Sequence, residues 1–265
     1  MFNIIIPAYN CSATLGRTLS SLVSQTDTEF EVIIVDDCST ENIKTIIDDY
    51  SSKLNIVYIR NETNLGCGMT RQVGIDNSIQ KFFCFLDSDD ILMPYAAETF
   101  NSIISKNPDT ELVHSYFYEQ TVIDNNPALI LRKDGFMWCH GKLYNRELID
   151  KFGIKNSPLV RWADDSYFNS MCSELMEMQL IRLPMYLWCN NKNSVIRREN
   201  PERDRLVCSD FLNAMKMSME FVLQYKNNVS HLKETISRIY SNDSIKYYTE
   251  EEIKMIDELS KYSKE

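Results

Sequence analysis

Short apolar runs alternate with amphipathic, helix-like stretches over the first 90 residues. The apolar runs predict strands over residues 3–6, 31–35, 55–59 and 82–86. Between the first two runs, Leu15, Leu19 and Leu22 recur on one face of a predicted helix. Apolar strands that alternate with such helices are typical of a mostly parallel sheet covered on both faces. The pattern therefore predicts an α/β, Rossmann-like fold.

Local signals suggest where several elements begin and end. Pro7 is expected to end the first strand, because proline has no N–H for the strand ladder. Ser39 and Thr40 are good N-cap residues and favour a helix that carries the apolar positions of 43–50. A loop with two glycines at 64–68 leads into a predicted helix over 69–79.

Beyond residue 105 the pattern becomes less regular. Strand-like runs at 112–118 and 178–183 are mixed with helix signals at 142–152 and 166–175. From residue 201 the pattern is helical throughout, and Thr249 with Glu252 forms a capping box. We expect a first half over 1–105, a second half over 106–200 and a C-terminal helical extension over 201–265.

Composition and charge exclude several classes of protein. The 265 residues hold 38 acidic and 28 basic side chains, so the net charge of -10 disfavours a partner bound by phosphate neutralisation, such as nucleic acid. Eight cysteines without a C-x-x-C pair and three histidines disfavour a zinc site and favour free thiols. No apolar run is long enough to cross a membrane, and the N-terminus lacks the pattern of a signal peptide. We expect a cytoplasmic protein without a transmembrane segment.

The strongest chemical signal is an acidic cluster at the end of the fourth predicted strand. Asp87, Asp89 and Asp90, with Ser88 between them, place three carboxylates within four residues. Such carboxylates repel one another unless a cation lies nearby, and Mg²⁺ and Mn²⁺ prefer oxygen ligands. The alternative is a solvated acidic turn that caps the next helix.

Other polar residues also follow predicted strands, at the edge where open α/β sheets bind ligands. The segment from Pro7 to Asn10 follows the first strand, with Tyr9 able to stack on a flat ring, and Asp37 follows the second. Arg71 begins a predicted helix, where a guanidinium suits a phosphate. Each has an ordinary alternative: a turn, a helix cap and a surface arginine.

In order and spacing these residues resemble the inverting family-2 glycosyltransferases of the GT-A fold. The resemblance covers residues 1 to about 100 closely and then continues in islands at 141–146 and 163–168. It implies that a donor nucleotide, usually a uridine diphosphate in this family, is bound by Pro7, Ala8, Tyr9, Asn10, Asp37, Asn64, Arg71, Asp87 and Ser88. It also implies that Asp89, with Asp87, coordinates Mn²⁺ or Mg²⁺ at the donor diphosphate.

The resemblance places the catalytic chemistry at Asp164 and Asp165. The family carries a Glu-Asp pair whose aspartate is the general base on the acceptor hydroxyl, and Asp165 matches it. Here the pair is Asp164-Asp165, so which carboxylate is the base stays open. The alternative is an acidic first helical turn, which the helix dipole favours.

The acceptor side is less clearly marked. Trp162 could form a floor for an acceptor sugar and His140 could line the same site, although both could equally be structural. Many relatives carry a histidine near the diphosphate where this chain has Asn190 and Asn191, which would leave Lys192 or Arg197 to meet the phosphates.

The sequence thus predicts a metal-dependent, inverting, hexosyltransferase-type enzyme. It would move one sugar from a nucleotide sugar, with UDP the favoured nucleotide, to a hydroxyl acceptor in surface glycan or polysaccharide synthesis. The alternatives are a non-catalytic nucleotide-sugar-binding module and a glycosyltransferase that acts on modified DNA, which the net charge disfavours. The C-terminal helices are expected to pack on the acceptor side or to form a homodimer.

Overall fold

The computed structural model describes residues 1–124, 126–133, 135, 137–191, 201–227, 229, 232, 235, 236 and 246–261. The first half contains β1 (Phe2–Ala8), α1 (Leu15–Val23), β2 (Phe30–Asp36), α2 (Lys44–Asp48), β3 (Ile56–Arg60), α3 (Cys67–Asp76), β4 (Phe82–Phe85), β5 (Ile91–Leu92) and α4 (Ala96–Lys106). The remainder contains β6 (Leu112–Ile123), β7 (Asn126–Arg132), β8 (Lys142–Asn145), α5 (Arg146–Phe152), α6 (Asp164–Leu175), β9 (Met178–Trp188), α7 (Pro201–Val222) and α8 (Glu250–Lys261).

One sheet runs through both halves of the described chain, with strand order β3-β2-β1-β4-β8-β6-β9-β5 and β7 beside β6. The four strands β3, β2, β1 and β4 are parallel neighbours, which confirms the predicted α/β class. The second half adds antiparallel pairs of β8 with β4 and β6, and a parallel pair of β6 with β9. Because the first four strands run in one direction, their carboxyl ends meet at one edge of the sheet.

The first strand is longer than predicted, because it continues through Pro7 to Ala8. The backbone groups of Pro7 point toward the same neighbouring strand as those of Ile5, whose carbonyl accepts the N–H of Leu86. The ladder with β4 ends at Ile5, so the missing N–H of Pro7 removes no bond of that ladder. The extra residues carry the chain to the edge where the other strands end.

The helix predicted after Ser39 is only one turn long and begins at Lys44. Side chains of Asp36 and Asn10 accept hydrogen bonds from backbone N–H groups at the position where the helix was predicted to begin. The carboxylate of Asp36 accepts from the Ser39 N–H at 2.8 Å, and the Asn10 side chain accepts from the Thr40 N–H at 2.8 Å. These bonds keep residues 37–43 as a loop beside the strand ends.

The helix predicted over 142–152 was half wrong. Residues 142–145 form the buried strand β8, which inserts between β4 and β6, and the helix begins only at Arg146. The aromatic ring of Tyr144 stacks on Phe83 with 5.1 Å between centroids, which ties this strand into the sheet. Asn145 then caps α5 by accepting the N–H of Glu147.

The C-terminal extension packs on the second half. Helix α7 lies against α6, where the hydroxyls of Ser170 and Ser218 hydrogen-bond at 2.8 Å in a buried contact. The predicted capping box is confirmed, since Thr249 and Glu252 exchange hydrogen bonds at the start of α8. None of the described helices has the length and apolarity that a membrane crossing requires.

Candidate active site

The strand-end residues of the first half surround the N-terminus of α3. The carboxylate of Asp37 accepts the backbone N–H groups of Leu65 at 2.8 Å and Gly66 at 2.9 Å, and the Asn61 amide at 2.9 Å. Asn64 donates to the carbonyl of Asp37 at 3.3 Å. Asp37 therefore fixes the loop that enters α3, and it joins the end of β2 to that helix.

The residues at the end of β1 and directly after it differ in exposure. Pro7 and Ala8 are buried, whereas Asn10 is exposed and the Tyr9 ring is 51% exposed and open to a ligand. Ser88, in the loop after β4, shares a hydrogen bond with the thiol of Cys11, in the loop after β1. The structure therefore brings the loops after β1 and β4 together. The donor contacts that the resemblance implies for these residues stay predictions.

Arg71 is the central side chain of the site. It lies on α3, is only 6% exposed, and holds two carboxylates from different parts of the chain. Its Nη2 contacts Asp87 Oδ1 at 2.8 Å, and its Nη1 forms an ion pair with Asp164. The guanidinium thus joins the end of β4 to the start of α6, and Asp164 lies 93 residues beyond Arg71 in the sequence. The sequence predicted that Arg71 binds the donor, but it did not predict the contacts of Arg71 with Asp87 and Asp164.

The two aspartates at the start of α6 have different surroundings. Asp164 pairs with Arg71, whereas the Asp165 carboxyl accepts the N–H of Ser166 at 2.8 Å. Burial first, and then the charge of Asp164, raises the pKa of Asp165 to about 7, although Arg71 opposes the shift. Burial also raises the pKa of Asp164, with Arg71 acting in the opposite direction. A carboxylate that titrates near neutral pH is suited to general-base work.

Asp164 is also held in place by close packing against α3. A Cβ built on Gly68 would lie 2.6 Å from the Cβ of Asp164, so only glycine leaves room for this carboxylate. We expect Gly68→Ala to displace Asp164 and lower the kcat of the reaction at this site by ten-fold or more, since small misplacements of reacting groups are costly.

The matched control is Gly16→Ala, where the added Cβ would meet nothing closer than 3.9 Å on helix α1. This control should keep normal activity and stability. A Gly68→Ala enzyme with the kinetics of the Gly16→Ala enzyme would contradict the assigned packing.

The three aspartates of the acidic cluster after β4 have different surroundings. Asp90 is buried and accepts from the Tyr186 hydroxyl at 2.6 Å and the Cys189 N–H at 2.7 Å. Burial, followed by the charges of Asp87 and Asp89, raises the pKa of Asp90 well above its ordinary value.

Asp89 accepts from the Asn191 amide at 2.8 Å, and burial raises the pKa of Asp89 as well. Burial also acts to raise the pKa of Asp87, but the charges of Arg71 and His140 outweigh burial, so the pKa of Asp87 is lowered.

Ligand atoms of Asp87, Asp90 and His140 lie within 4.8 Å of one another, close enough to share a cation. The sequence predicted Asp87 and Asp89 as ligands; the group found among the described residues contains Asp87 with Asp90 and His140, and Asp89 is not part of it. The oxygen-rich donor set and the raised pKa values of Asp89 and Asp90 fit a divalent cation, which would relieve the excess of negative charge.

His140 lies beside the acidic cluster, while Trp162 lies near the two aspartates at the start of α6. The His140 ring stacks on Tyr186 with 4.7 Å between centroids, and its Nε2 is 3.9 Å from Asp87 Oδ2. This position favours a role at the acidic cluster over the predicted contact with the acceptor. Trp162 is half-buried and directly precedes Ala163 and Asp164. Its acceptor role stays a prediction, and Lys192 and Arg197 lie outside the described residues.

Comparisons with known proteins agree with this geometry. Residues 3–156, more than half of the chain, match the family model for glycosyl transferase family 2. An uncharacterized glycosyltransferase of Haemophilus influenzae is 40% identical over 114 residues, which are 43% of this chain and 38% of that protein. The poly(ribitol-phosphate) beta-N-acetylglucosaminyltransferase TarS of Staphylococcus aureus is 40% identical over 94 residues, 34% of this chain and 16% of that protein. The matched part is thus well under half the length of either relative.

Solved structures extend the fold comparison to nearly the whole chain. The crystal structure of S. aureus TarS 1-349 in complex with UDP-GlcNAc has a TM-score of 0.75 at 21% identity, covering 97% of this chain and 79% of that one. The complex of the same fragment with UDP has a TM-score of 0.72 at 22% identity, covering 91% and 72%. The predicted GT-A fold is therefore confirmed. By its family match and its strand-end carboxylates, the chain belongs to glycosyl transferase family 2.

Proposed function

We propose that this protein is an inverting glycosyltransferase that moves one sugar from a UDP-sugar to a hydroxyl acceptor with the help of Mn²⁺ or Mg²⁺. The observation that carries the proposal is the pair of contacts of Arg71, which brings the acidic end of β4 beside the aspartates of α6. Donor-side and acceptor-side carboxylates then border one cleft. The UDP and UDP-GlcNAc complexes of the TarS fragment support a UDP-sugar as donor.

The base in this proposal is Asp165. Arg71 pairs with Asp164, which stabilises its charged form, whereas the pKa of Asp165 near 7 suits proton transfer at neutral pH. Asp165 accepts the proton of the acceptor hydroxyl as the hydroxyl oxygen attacks the anomeric carbon. The bond from that carbon to the donor diphosphate breaks in the same displacement, so the configuration inverts. Asp164 positions the first turn of α6 through Arg71 and Gly68.

The donor lies at the strand ends of the first half in this proposal. The exposed Tyr9 ring stacks on the base, and the loops of Asn10 and Asn64 border it. Asp87, Asp90 and His140, whose ligand atoms lie within 4.8 Å of one another, would hold the cation, and the neighbouring Asp89 is the further ligand that the resemblance implies. When bound, a divalent cation neutralises charge that develops on the departing diphosphate.

The proposed division of labour follows the sheet. We assign residues 1–105 to the donor half, 106–200 to the acceptor and catalytic half, and 201–265 to a helical extension. The short strand β5 of the first half pairs with β9 of the second, so the halves share one sheet. All eight cysteines are free thiols, which supports a reducing compartment such as the cytoplasm. A glycan acceptor and a homodimer through the extension stay predictions.

The proposal is tested by incubating the full chain with UDP-, GDP- and dTDP-sugars and Mn²⁺, and by measuring nucleotide release and the shift in Tm. We expect UDP with Mn²⁺ to raise Tm, and a UDP-sugar to be turned over in a reaction that EDTA stops and Mn²⁺ restores. Binding of UDP without transfer to any of a broad panel of glycan and polyol acceptors would favour a non-catalytic binding module. Neither binding nor turnover with any donor would overturn the proposal.

The pH dependence follows from the raised pKa of Asp165. A general base works only when it is deprotonated, so kcat/KM should fall as the pH drops through about 7. The expected profile between pH 5.5 and 8.5 loses ten-fold in rate per pH unit on its acid side. A profile that stays flat down to pH 5.5 would contradict the assignment of this base.

A further inference from the structure

We propose that Asp210, on helix α7, is a positioning residue that sets the catalytic aspartates of α6. One oxygen of its carboxylate, Oδ2, accepts three consecutive backbone N–H groups: Arg161 at 2.9 Å, Trp162 at 2.6 Å and Ala163 at 2.9 Å. Asp164 and Asp165 follow immediately in the chain. The inference rests on the proposed function, because it takes Asp165 as the base.

The three bonds fix the segment where α6 begins. Ala163 is the N-cap residue of α6, and its own side chain offers no cap, so the loop depends on a partner from elsewhere in the chain. Hydrogen bonds to a charged acceptor are about twice as strong as neutral ones. Three of them on successive N–H groups hold the backbone of 161–163 and thereby the direction in which the first turn of α6 leaves it.

Helix α7 is a firm platform for this carboxylate. Ser218 hydrogen-bonds to Ser170 Oγ at 2.8 Å and to the carbonyl of Tyr167 at 3.2 Å, which fastens α7 to α6 two turns beyond Asp210. Leu212 and Met215 are buried in the same core cluster as Phe168 of α6. Asp210 therefore holds the loop from a helix that is itself packed against α6.

Asp210 acts on Asp165 through the backbone of 161–163 and not as a charge that shifts the pKa of Asp165. The influences on the pKa of Asp165 are burial, then Asp164, Arg71 and Asp87, and finally the Ser166 N–H. Asparagine keeps a carbonyl oxygen that can accept N–H bonds, whereas alanine removes the acceptor altogether. The conservative change should therefore preserve most of the function, which a charge effect would not allow.

The test compares Asp210→Ala, Asp210→Asn and the control Glu220→Ala, which removes the same charge from an exposed position of α7. With a UDP-sugar and Mn²⁺, we expect Asp210→Ala to lower kcat by about 10–100-fold, since a misplacement of 1 Å can cost about 10²-fold. The KM for the donor should stay within two-fold. On a logarithmic scale, Asp210→Asn should regain at least half of the kcat that Asp210→Ala loses. The kcat of Glu220→Ala should match that of wild type.

Hydrogen exchange supplies a readout that does not depend on turnover. The amides of Arg161, Trp162 and Ala163 should exchange at least ten-fold faster in Asp210→Ala, while amides of the β1–β4 core stay protected. An active wild type with an unchanged kcat in Asp210→Ala would overturn the inference, and so would equal loss in the alanine and asparagine variants. An inactive wild type in which these three amides still depend on Asp210 would instead overturn the proposed function.

Discussion

Replacing Asp165 with asparagine is expected to lower kcat for glycosyl transfer by about 10²–10⁴-fold, the range that general-base catalysis contributes. The amide cannot take the proton of the acceptor hydroxyl, but it keeps the size of the carboxyl group. Asp165 is not a partner of Arg71 in the structure, so the ion pairs of the cleft should survive. The measurement is steady-state release of UDP, together with the Tm shift caused by UDP and Mn²⁺, which should stay as in wild type.

Stability supplies an independent check on the same variant. The pKa of Asp165 is raised to about 7 in the folded protein, against about 3.9 in an unfolded chain. Such a carboxyl weakens the fold progressively as the pH rises between these values, and the loss is complete above the folded pKa. Asp165→Asn should therefore be more stable than wild type, with a Tm advantage that grows from pH 5 to pH 8. An advantage that shrinks over this range would contradict the raised pKa.

The control for this variant is its neighbour. Asp164→Asn removes the charge that pairs with Arg71, so it should lower kcat through the loss of that alignment while the carboxyl group of Asp165 remains. If Asp164→Asn were inactive while Asp165→Asn kept a near-normal rate, the base would be Asp164.

Removing Arg71 is expected to have the second large effect. Arg71→Met would leave Asp87 and Asp164 close together without their shared cation, and breaking a buried pair costs about 3–5 kcal/mol. We expect about 3 kcal/mol from urea unfolding, at the lower end, because the Asp87 side chain is 27% exposed. The rate should fall by at least 10²-fold, because both ends of the cleft lose their alignment.

Two further variants separate geometry from charge. Arg71→Lys keeps the charge, but a compact ammonium lacks the planar fork that reaches both carboxylates, so its activity should lie well below wild type. Lys44→Ala removes an exposed ion pair with Asp48 and should cost less than about 1 kcal/mol. Normal activity and stability in Arg71→Lys would show that the bridge between β4 and α6 is not required.

The sequence by itself determined the elements that depend on local pattern. Apolar strands ending in polar residues predicted the parallel sheet and the edge at which Asp37 and Asp87 lie, because strand period and order are properties of the linear chain. It failed where local signals were weak or overridden. Residues 142–145 lie in a segment with helix signals, but they form strand β8 in the structure because they pair with both β4 and β6.

Tertiary structure alone decided which charges meet. The sequence marked Arg71 and Asp164 as separate candidates 93 residues apart, and only the packing of α3 against α6 joins them. The sequence contained no signal that Asp210, on a helix beyond the matched region, holds the loop before Asp164 and Asp165. Ion pairs and shared hydrogen bonds depend on distances of a few ångströms, and folding sets those distances between residues that the linear chain keeps far apart.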